Sequence, residues 1–418
     1  MSLPKIEPVT GGYNYEWGEE KVRIECRRLS LRNNDLKGEI TISTTAPESP
    51  ANHLHQASFN FSSAQSRDRL STMLSKRLEV GWDSILEQTC VYTMEAFRRG
   101  EKVVEIFTGS GQATPPEFLL YPFIVKNYPT IIFGDPSSSK SLFSLVVATL
   151  LALPWHDNPM GWSTPKTPVK ILYCDWETDE ATIGWNLACL QKGMELPPLS
   201  LNYLHCSMPL HYDIEQISEK VNECNAQITI IDSLGLAAGG DLNITEPALN
   251  FWSAWRKLKT TSLILAHTSK SSQENDKKKS VYGNVYYTAE ARSIWEIKKS
   301  QEADSGEMDI ALFNRKPPPF AKIHRPLGLH ISFSGDGEIS DSTEIRESSP
   351  QSVSEFMSSF GTQEQIKDFL LEGARTTQEI AEAISITNVN ARNALKRLKD
   401  KDIIFKIGDG KWGLLSNV

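Results

Sequence analysis

The chain has 418 residues, 39% of them hydrophobic and 23% charged, and its formal net charge is −8. This length allows two or three domains and a sizeable core. The acidic balance argues against a uniformly basic coat for nucleic acid, so a polyanion would have to bind to a local basic surface.

Two further features of the sequence limit the class of protein. The six cysteines form neither a C-x-x-C pair nor a cluster with histidine at metal-ligand spacing, which favours reduced thiols over a disulfide framework or a zinc site. The N-terminus has no apolar signal region, and the longest apolar run, residues 142–153, is too short to span a bilayer. We therefore expect a cytoplasmic protein that has no membrane partner.

Residues 1–112 are predicted to form an N-terminal α+β module. Segments in which apolar and polar residues alternate indicate half-buried strands, and amphipathic segments with a helical period indicate two helices. The predicted strands cover residues 21–31, 38–45 and 53–62, and the predicted helices cover residues 66–79 and 82–99. The module contains no catalytic constellation.

Residues 130–141 are predicted to form a strand, a tight loop and the start of a helix. A β-branched and aromatic run stops at Gly134, a turn of small residues follows, and the pair Lys140-Ser141 opens a long apolar run. In a P-loop of this kind, backbone N–H groups surround a triphosphate, the lysine reaches the β- and γ-phosphates, and the hydroxyl holds Mg²⁺. The predicted nucleotide-binding residues are Gly134, Asp135, Pro136, Ser137, Ser138, Ser139, Lys140 and Ser141.

One position departs from the usual P-loop pattern. Ser139 stands where glycine commonly precedes the lysine, and no glycine lies between Gly134 and Lys140. The alternative interpretation is a serine-rich turn that joins a buried strand to a buried helix and binds no ligand.

Residues 113–339 alternate strands and helices in the manner of a mostly parallel sheet. Ligands of such sheets bind at the carboxyl ends of the strands, so acids that end apolar strands are candidates. Asp232 is the predicted second Mg²⁺ ligand and Glu177 the predicted base that polarises water, with Asp175 as the weaker choice. His267 ends a later strand and is predicted to sense the γ-phosphate. A turn cap, a surface carboxylate and a satisfied polar histidine are the corresponding alternatives.

The last part of the chain is predicted to be a linker and a winged helix. Residues 340–359 are rich in serine and glutamate and have little apolar periodicity, as expected of a linker. Residues 360–418 contain three short helical patterns and a hairpin signal, which is the order of a winged helix-turn-helix. Its recognition helix would contact DNA through Arg392, Lys396 and Arg397, although winged helices also bind proteins.

The segments GDPSSSKS, YCDWE, TIIDS, LILAHTSK, ARSIWEI and LFNRKPP follow one another in this order within residues 113–335. This series resembles the RecA-like ATPases of the plasmid RepA-type hexameric helicases, which are relatives of the DnaB-type replicative helicases. The resemblance covers about half of the chain. It implies an α/β fold with a RecA-like core, and a homo-oligomeric, hexameric ring with ATP and Mg²⁺ at the subunit interfaces.

The resemblance also implies roles for individual residues. Glu177 would be the catalytic acid, and His267 would be the sensor of the γ-phosphate. Arg292 matches the arginine that reaches the γ-phosphate bound by a neighbouring subunit. Arg315 and Lys316 match a later basic pair of the family, and the sequence leaves open whether Arg292 or this pair acts on the neighbour.

Two loops of such a ring would face its central channel. They cover residues 235–243 and 268–284, directly after the strands that end at Asp232 and His267. The second loop carries lysines that suit the backbone of a single strand, although a solvated loop explains them equally well. The predicted nucleic-acid contacts in this loop are Lys270, Lys277, Lys278 and Lys279.

The expected function is Mg²⁺-dependent ATP hydrolysis by an oligomeric motor on nucleic acid, a helicase or translocase in the replication of a plasmid, virus or other mobile element. DNA is the expected partner, single-stranded in the channel and duplex at the winged helix. The alternative is a regulatory or defence ATPase whose nucleotide state switches assembly, DNA docking or partner binding without unwinding. The polynucleotide, the direction of movement and the ring size stay open.

Overall fold

The computed structural model describes residues 2–9, 11–49, 51–100, 103, 105, 115–268, 280–335 and 339–415. The chain divides into two compact units. The first comprises Met1–Pro115, Pro209–Asn225 and Phe251–Lys259, and the second comprises Pro116–Met208, Ala226–Asn250 and Thr260–Val418. The first unit thus joins the N-terminal residues with two later segments, a grouping that the order of residues along the chain does not reveal. Among the described helices, none has the length and apolar character needed to cross a membrane.

The N-terminal residues of the first unit form an antiparallel sheet packed against two helices. The strands are β1 Lys5–Val9, β2 Gly12–Trp17, β3 Val22–Arg32, β4 Asp35–Thr44 and β5 His53–Asn60, and the helices are α1 Ala64–Leu74 and α2 Trp82–Arg99. The strands pair in sequence order, and Tyr15, Ile24 and Ile40 are fully buried in one core with Trp82 and Leu86. The sequence pattern does not predict β1, because most of its residues are exposed and show no apolar alternation.

The second unit is built on a nine-stranded sheet. A separate two-stranded sheet of β6 Phe118–Leu120 and β7 Ile124–Val125 precedes it. The nine strands are β8 Pro129–Gly134, β9 Ile171–Asp175, β10 Asn202–His205, β11 Ile228–Asp232, β12 Thr261–His267, β13 Ser293–Ser300, β14 Glu307–Lys316, β15 Leu327–Ser334 and β16 Ser342–Ser348. They are ordered β10-β9-β11-β12-β8-β13-β14-β15-β16.

The direction of these strands brings the predicted site residues to one edge. The strands from β10 to β13 in this order are parallel, and the pairs from β13 to β16 are antiparallel. The residues that follow β8, β9, β11 and β12 therefore meet at one edge of the sheet, here called the carboxyl edge. The opposite edge, where these strands begin, is called the amino edge.

Helix α3 holds the loop that follows β8 in place. The helices that follow β8 along the chain are α3 Lys140–Ala152, α4 Glu180–Gly193, α5 Leu210–Glu223, α6 Leu234–Ala238, α7 Thr245–Leu258 and α8 Val285–Glu290. Of these, α5 and residues 251–258 of α7 belong to the first unit. Helix α3 is buried along almost its whole length, in one core with Tyr173 of β9, Trp295 of β13 and Ile345 of β16. Because a helix that is apolar all round must be enclosed, α3 lies inside the unit. Its first turn, which follows the loop after β8, is therefore held in place.

Residues 340–359 differ from the predicted linker. Strand β16 lies in this segment and pairs with β15, with Ile345 opposite Ile331. Two 3₁₀ helices follow, Pro350–Ser352 and Ser354–Ser359, and Phe356 and Phe360 pack with Phe313 of β14. The serine- and glutamate-rich composition hides this strand, because only Thr343 and Ile345 of β16 are buried.

The C-terminal residues form a small module with its own core. Its elements are α9 Thr362–Leu371, β17 Arg375–Thr376, α10 Thr377–Ala383, α11 Asn388–Lys399, β18 Ile404–Lys406 and β19 Lys411–Leu414. The strands are antiparallel in the order β17-β19-β18, and Ile366, Ile380 and Leu395 are fully buried between the helices. Three helices and a hairpin thus lie where the sequence pattern predicts them, and the identity of the module as a winged helix stays a prediction.

Candidate nucleotide-binding site

The predicted P-loop runs from β8 to α3 in a conformation that depends on small residues. A Cβ added to Gly134 would lie 2.5 Å from Ser138 Oγ and 2.6 Å from the carbonyl oxygen of Ile297, so no larger residue fits there without movement. Ser137 and Ser139 have left-handed backbone conformations, with φ values of 60° and 63°. Ser139 therefore adopts at the start of α3 a conformation that glycine adopts more easily, although it carries a side chain.

Replacing Ser139 with glycine is expected to stabilise the second unit. A left-handed conformation costs a residue with a side chain about 1–2 kcal/mol, and the extra backbone freedom of glycine costs roughly 0.5–1 kcal/mol, so a net gain remains. We expect the thermal midpoint of unfolding to rise by about 1–3 °C. Ser138→Gly is the matched control, because Ser138 has no positive φ, and it should lower the midpoint. A midpoint for Ser139→Gly at or below that of the wild type would contradict strain at this residue.

Lys140 points its ammonium group into the loop. Its Nζ donates to the carbonyl oxygens of Gly134 at 3.3 Å and Asp135 at 2.9 Å, and lies 3.5 Å from Ser138 Oγ. Burial lowers the pKa of Lys140, while the negative charges of Glu177 and Asp232 act in the opposite direction. The cation is thus at the centre of the loop, beside the backbone N–H groups that would surround a phosphate.

Ser141 and Asp232 form a pair of oxygen donors at the first turn of α3. Ser141 Oγ donates to Asp232 Oδ2 at 2.7 Å, although Asp232 is 1% exposed and lies on another strand. Burial raises the pKa of Asp232, against the hydrogen bonds from Ser141 and Tyr173 that lower it. A hydroxyl and a carboxylate are ligands that suit Mg²⁺, and a buried carboxylate gains from a nearby cation, so this pair fits the ion.

Tyr173 is a site residue that the sequence analysis did not identify. Its hydroxyl donates to the same Asp232 Oδ2 at 2.7 Å and lies 3.1 Å from Ser144 Oγ of α3. Burial raises the pKa of Tyr173 well above its ordinary value, so the hydroxyl keeps the proton that it donates. The sequence gives only a weak signal for this role of Tyr173. Period-two alternation places Tyr173 on the same strand face as Asp175, but it does not predict which residue of β11 the side chain contacts.

Glu177 lies between the strands that end at Asp175 and Asp232. Its Oε1 accepts from Ser233 Oγ at 2.5 Å and from His267 Nε2 at 3.2 Å, and Ser233 follows Asp232 through a cis peptide bond. The hydrogen bond from His267 holds the pKa of Glu177 below its ordinary value, with a smaller contribution from Ser233, while burial acts to raise it. The carboxylate is therefore ionised at neutral pH, the state that a general base requires.

His267 connects Glu177 to the P-loop lysine. Its Nδ1 lies 3.4 Å from Lys140 Nζ, and its Nε2 lies 3.2 Å from Glu177 Oε1. A neutral imidazole with its proton on Nε2 accepts from the ammonium and donates to the carboxylate, so one tautomer satisfies both contacts. The next residue, Thr268, donates from Oγ1 to Asp135 Oδ1 at 2.5 Å. The start of the following loop is thus attached to the P-loop, whereas Lys270, Lys277, Lys278 and Lys279 lie outside the described residues.

Asp175 holds the turn that carries Glu177. Its side chain is fully buried and accepts from the N–H groups of Glu177 at 2.9 Å and Thr178 at 3.0 Å. The hydroxyls of Thr178 and Tyr203 donate to its Oδ2 at 2.6 and 3.1 Å. With its oxygens occupied in this way, Asp175 supports the turn that carries Glu177.

Arg292, Arg315 and Lys316 lie at the amino edge, away from the P-loop of the same chain. Ser293 pairs with Thr130 of β8, and Lys316 pairs with Ile294 of β13. Thr130 precedes the end of β8 by four residues, which is about 13 Å of extended strand. The sheet therefore separates these cations from Lys140, Glu177 and His267.

The three cations differ in their surroundings. Arg315 Nε donates to Oε2 of the buried Glu296 at 2.7 Å, and its guanidinium lies 4.9 Å from the centroid of the Phe313 ring. Lys316 donates to backbone carbonyls of the segment before β13, whereas the Arg292 side chain is exposed. Of the three, Arg292 has the surroundings that suit contact with another molecule.

Helix α11 presents the predicted DNA contacts of the C-terminal module. Arg392, Lys396 and Arg397 are exposed, and the buried residues of the same helix include Ala391 and Leu395. The basic residues therefore lie on the solvent side of an amphipathic helix, and their contact with DNA stays a prediction.

Comparisons with known proteins are consistent with this site. Residues 95–273 match the AAA domain family AAA_25, a segment that contains the P-loop, Glu177, Asp232 and His267. A KaiC-like protein from the hyperthermophilic archaeon Pyrococcus horikoshii OT3 is 13% identical over 55% of this chain and 94% of its own, with a TM-score of 0.36, a likeness too low to carry an argument. No curated protein is significantly similar. The domain match and the site geometry together indicate a RecA-like P-loop ATPase domain.

Proposed function

We propose that this chain is a Mg²⁺-dependent ATPase that assembles as a homo-oligomeric ring, with each active site completed by Arg292 of a neighbouring copy. The observation that carries the proposal is that the candidate functional residues lie at two opposite edges of one sheet. Lys140 and Ser141 of the P-loop lie at the carboxyl edge together with Asp232, Glu177 and His267. The exposed Arg292 directly precedes β13 at the amino edge, a position from which we propose that it reaches the site of another copy.

The residues of the carboxyl edge have complementary roles in hydrolysis. The P-loop backbone and Lys140 would hold the phosphates of ATP, and Ser141 and Asp232 would hold Mg²⁺, which neutralises developing phosphate charge when bound. Glu177 would accept the proton of the attacking water, a role worth about 10²–10⁴-fold in rate. Because Glu177 shares His267 with Lys140, a change in the position of the lysine on a phosphate would also change the hydrogen bonding of the base.

The proposed action of the ring is on DNA, as a helicase or translocase of a replicating mobile element. The motif order of residues 113–335 supports this role, and so does the exposed basic face of α11 in a chain whose net charge is −8. In this proposal the C-terminal module binds duplex DNA as a winged helix, through Arg392, Lys396 and Arg397. The lysines at positions 270 and 277–279 would follow the backbone of a single strand in the channel.

The test of this function is ATP hydrolysis with and without single-stranded DNA. We expect DNA to raise the rate, and Lys140→Ala to lower kcat/KM by at least about 10²-fold, because it removes the cation on the phosphates. Lys166→Ala is the matched control, since Lys166 is an exposed lysine outside the site, and it should behave as wild type. Native mass with ATP and DNA should reveal the ring. Hydrolysis that no nucleic acid stimulates would contradict a motor, and stimulation without displacement of a strand from a fork would favour the regulatory ATPase.

A further inference from the structure

Lys316 occupies all the donors of its ammonium group inside its own chain. Its Nζ donates to the carbonyl oxygens of Thr288 at 2.8 Å, Ala289 at 3.0 Å and Ala291 at 2.7 Å. A lysine ammonium has three N–H donors, so no donor remains for a phosphate unless one of these bonds breaks. In the basic pair Arg315-Lys316, Lys316 is therefore already fully hydrogen-bonded within its own chain.

The carbonyls that Lys316 holds belong to the segment that leads into Arg292. Thr288 and Ala289 lie in the last turn of α8, where carbonyls lack partners within the helix and a cation is favoured. Ala291 is the residue directly before Arg292, whose own N–H donates to the carbonyl oxygen of Pro129 at 3.0 Å. The backbone on the N-terminal side of Arg292 is thus fixed by Lys316, and that of Arg292 itself by the start of β8.

Arg315, the other member of the pair, is also hydrogen-bonded within its own chain. It donates through Nε to Glu296 Oε2 at 2.7 Å, and its Nη2 donates to the same oxygen of this carboxylate, which is 1% exposed. Moving the guanidinium of Arg315 away would leave the buried carboxylate of Glu296 with less positive charge beside it. The cost of such a buried, poorly paired charge strongly disfavours the movement. Among the described residues, Arg292 is the one cation of these three that can extend toward another molecule without first breaking a side-chain hydrogen bond.

We propose that Lys316 is a positioning residue, which fixes the backbone from which Arg292 extends into the active site of the neighbouring copy. This inference rests on the proposed function, since it requires Arg292 to act on a neighbour. Two of the predicted basic residues then have different roles. Arg292 contacts the γ-phosphate, and Lys316 fixes the backbone position from which the Arg292 side chain extends. Burial lowers the pKa of Lys316, and the positive charge of Arg292 adds to this shift, as expected of cations that lie near each other.

The decisive variant is Lys316→Met, which keeps the aliphatic stem and removes the three donors. We expect kcat for ATP hydrolysis to fall by about 10²-fold, because a small displacement of a catalytic group has that effect. The Kd for ATP should stay within about twofold of wild type, because the P-loop lies at the other edge of the sheet. Lys322→Met is the matched control, an exposed lysine six residues along the chain, and it should leave both quantities unchanged.

A double-variant cycle separates positioning from a direct or merely structural role. If Lys316 acts through Arg292, then Lys316→Met has no further effect on kcat in an Arg292→Ala background. The same fold-loss in both backgrounds would overturn the inference. If Arg292→Ala alone leaves kcat unchanged, the proposed function itself fails at this point, and the inference fails with it.

A second substitution keeps the test decisive if Lys316→Met impairs folding or assembly, as judged by thermal unfolding and native mass. Lys316→Arg keeps the charge and several donors, so we expect it to retain at least about a tenth of the wild-type kcat. Any loss that it causes must disappear in the Arg292→Ala background. A loss that persists there would overturn the positioning role.

Discussion

Arg292→Ala is expected to lower kcat for ATP hydrolysis by about 10³-fold or more and to leave the affinity for ATP close to that of the wild type. An arginine supplied by a neighbouring subunit stabilises the charge of the transition state of phosphoryl transfer, an effect of about 10³–10⁵-fold. ATP itself would be held by the loop around Lys140, which lies at the opposite edge of the sheet from Arg292. The loss should therefore appear in kcat and not in Kd.

Mixing two inactive variants tests whether Arg292 acts on another copy. An Arg292→Ala chain keeps its own P-loop and Glu177, and a Glu177→Gln chain keeps its Arg292. Mixed oligomers therefore contain some sites with both groups intact, and part of the lost activity should return. Arg325→Ala is the matched control, an exposed arginine beyond the end of β14, and it should hydrolyse ATP at the wild-type rate. No recovery on mixing, or a rate per subunit that stays constant down to the monomer, would contradict a shared site.

Glu177→Gln is expected to lower kcat by about 10²–10⁴-fold while ATP still binds. Glutamine has nearly the same shape, and its amide oxygen can accept from Ser233 and His267 as the carboxylate does at 2.5 and 3.2 Å. It lacks the basicity needed to take a proton from water. Because the bond from His267 keeps the pKa of Glu177 below its ordinary value, protonation of this residue should limit the rate only below the usual glutamate range.

Single-turnover hydrolysis in a preformed complex measures this step without the contribution of product release. Glu180→Gln is the matched control, because Glu180 is an exposed carboxylate in the first turn of α4, three residues along the chain. It should leave the single-turnover rate unchanged. An unchanged rate for Glu177→Gln would instead identify a site that binds nucleotide and does not use this base.

The sequence was informative where function depends on position along one element. Gly134, Asp232 and His267 each end an apolar run, and parallel strands bring such ends together, so their meeting could be predicted from periodicity. The burial of α3 could be predicted in the same way, because its residues are apolar on every face. Local signals of this kind depend only on neighbours in the chain.

The sequence was less informative where function depends on contacts between elements. The hydroxyl of Tyr173 meets Asp232 because β9 pairs with β11 in one particular register, and no local pattern contains that register. For the same reason, no local pattern contains the contacts of Lys316 with the carbonyl oxygens of Thr288, Ala289 and Ala291, on which the proposed roles of Arg292 and Lys316 depend. Strand β16 was hidden because its two buried residues give too short a pattern to distinguish it from a linker.

Strand β8 gives the proposed ring a further property. Its last residue, Gly134, opens the P-loop, and the carbonyl oxygen of its first residue, Pro129, accepts the N–H of Arg292, which in the proposed ring would serve the next site. Parallel partners flank the strand on both sides, and its six residues span about 20 Å. In the proposed ring, this one strand would thus connect the phosphate loop of one active site to the arginine of the next.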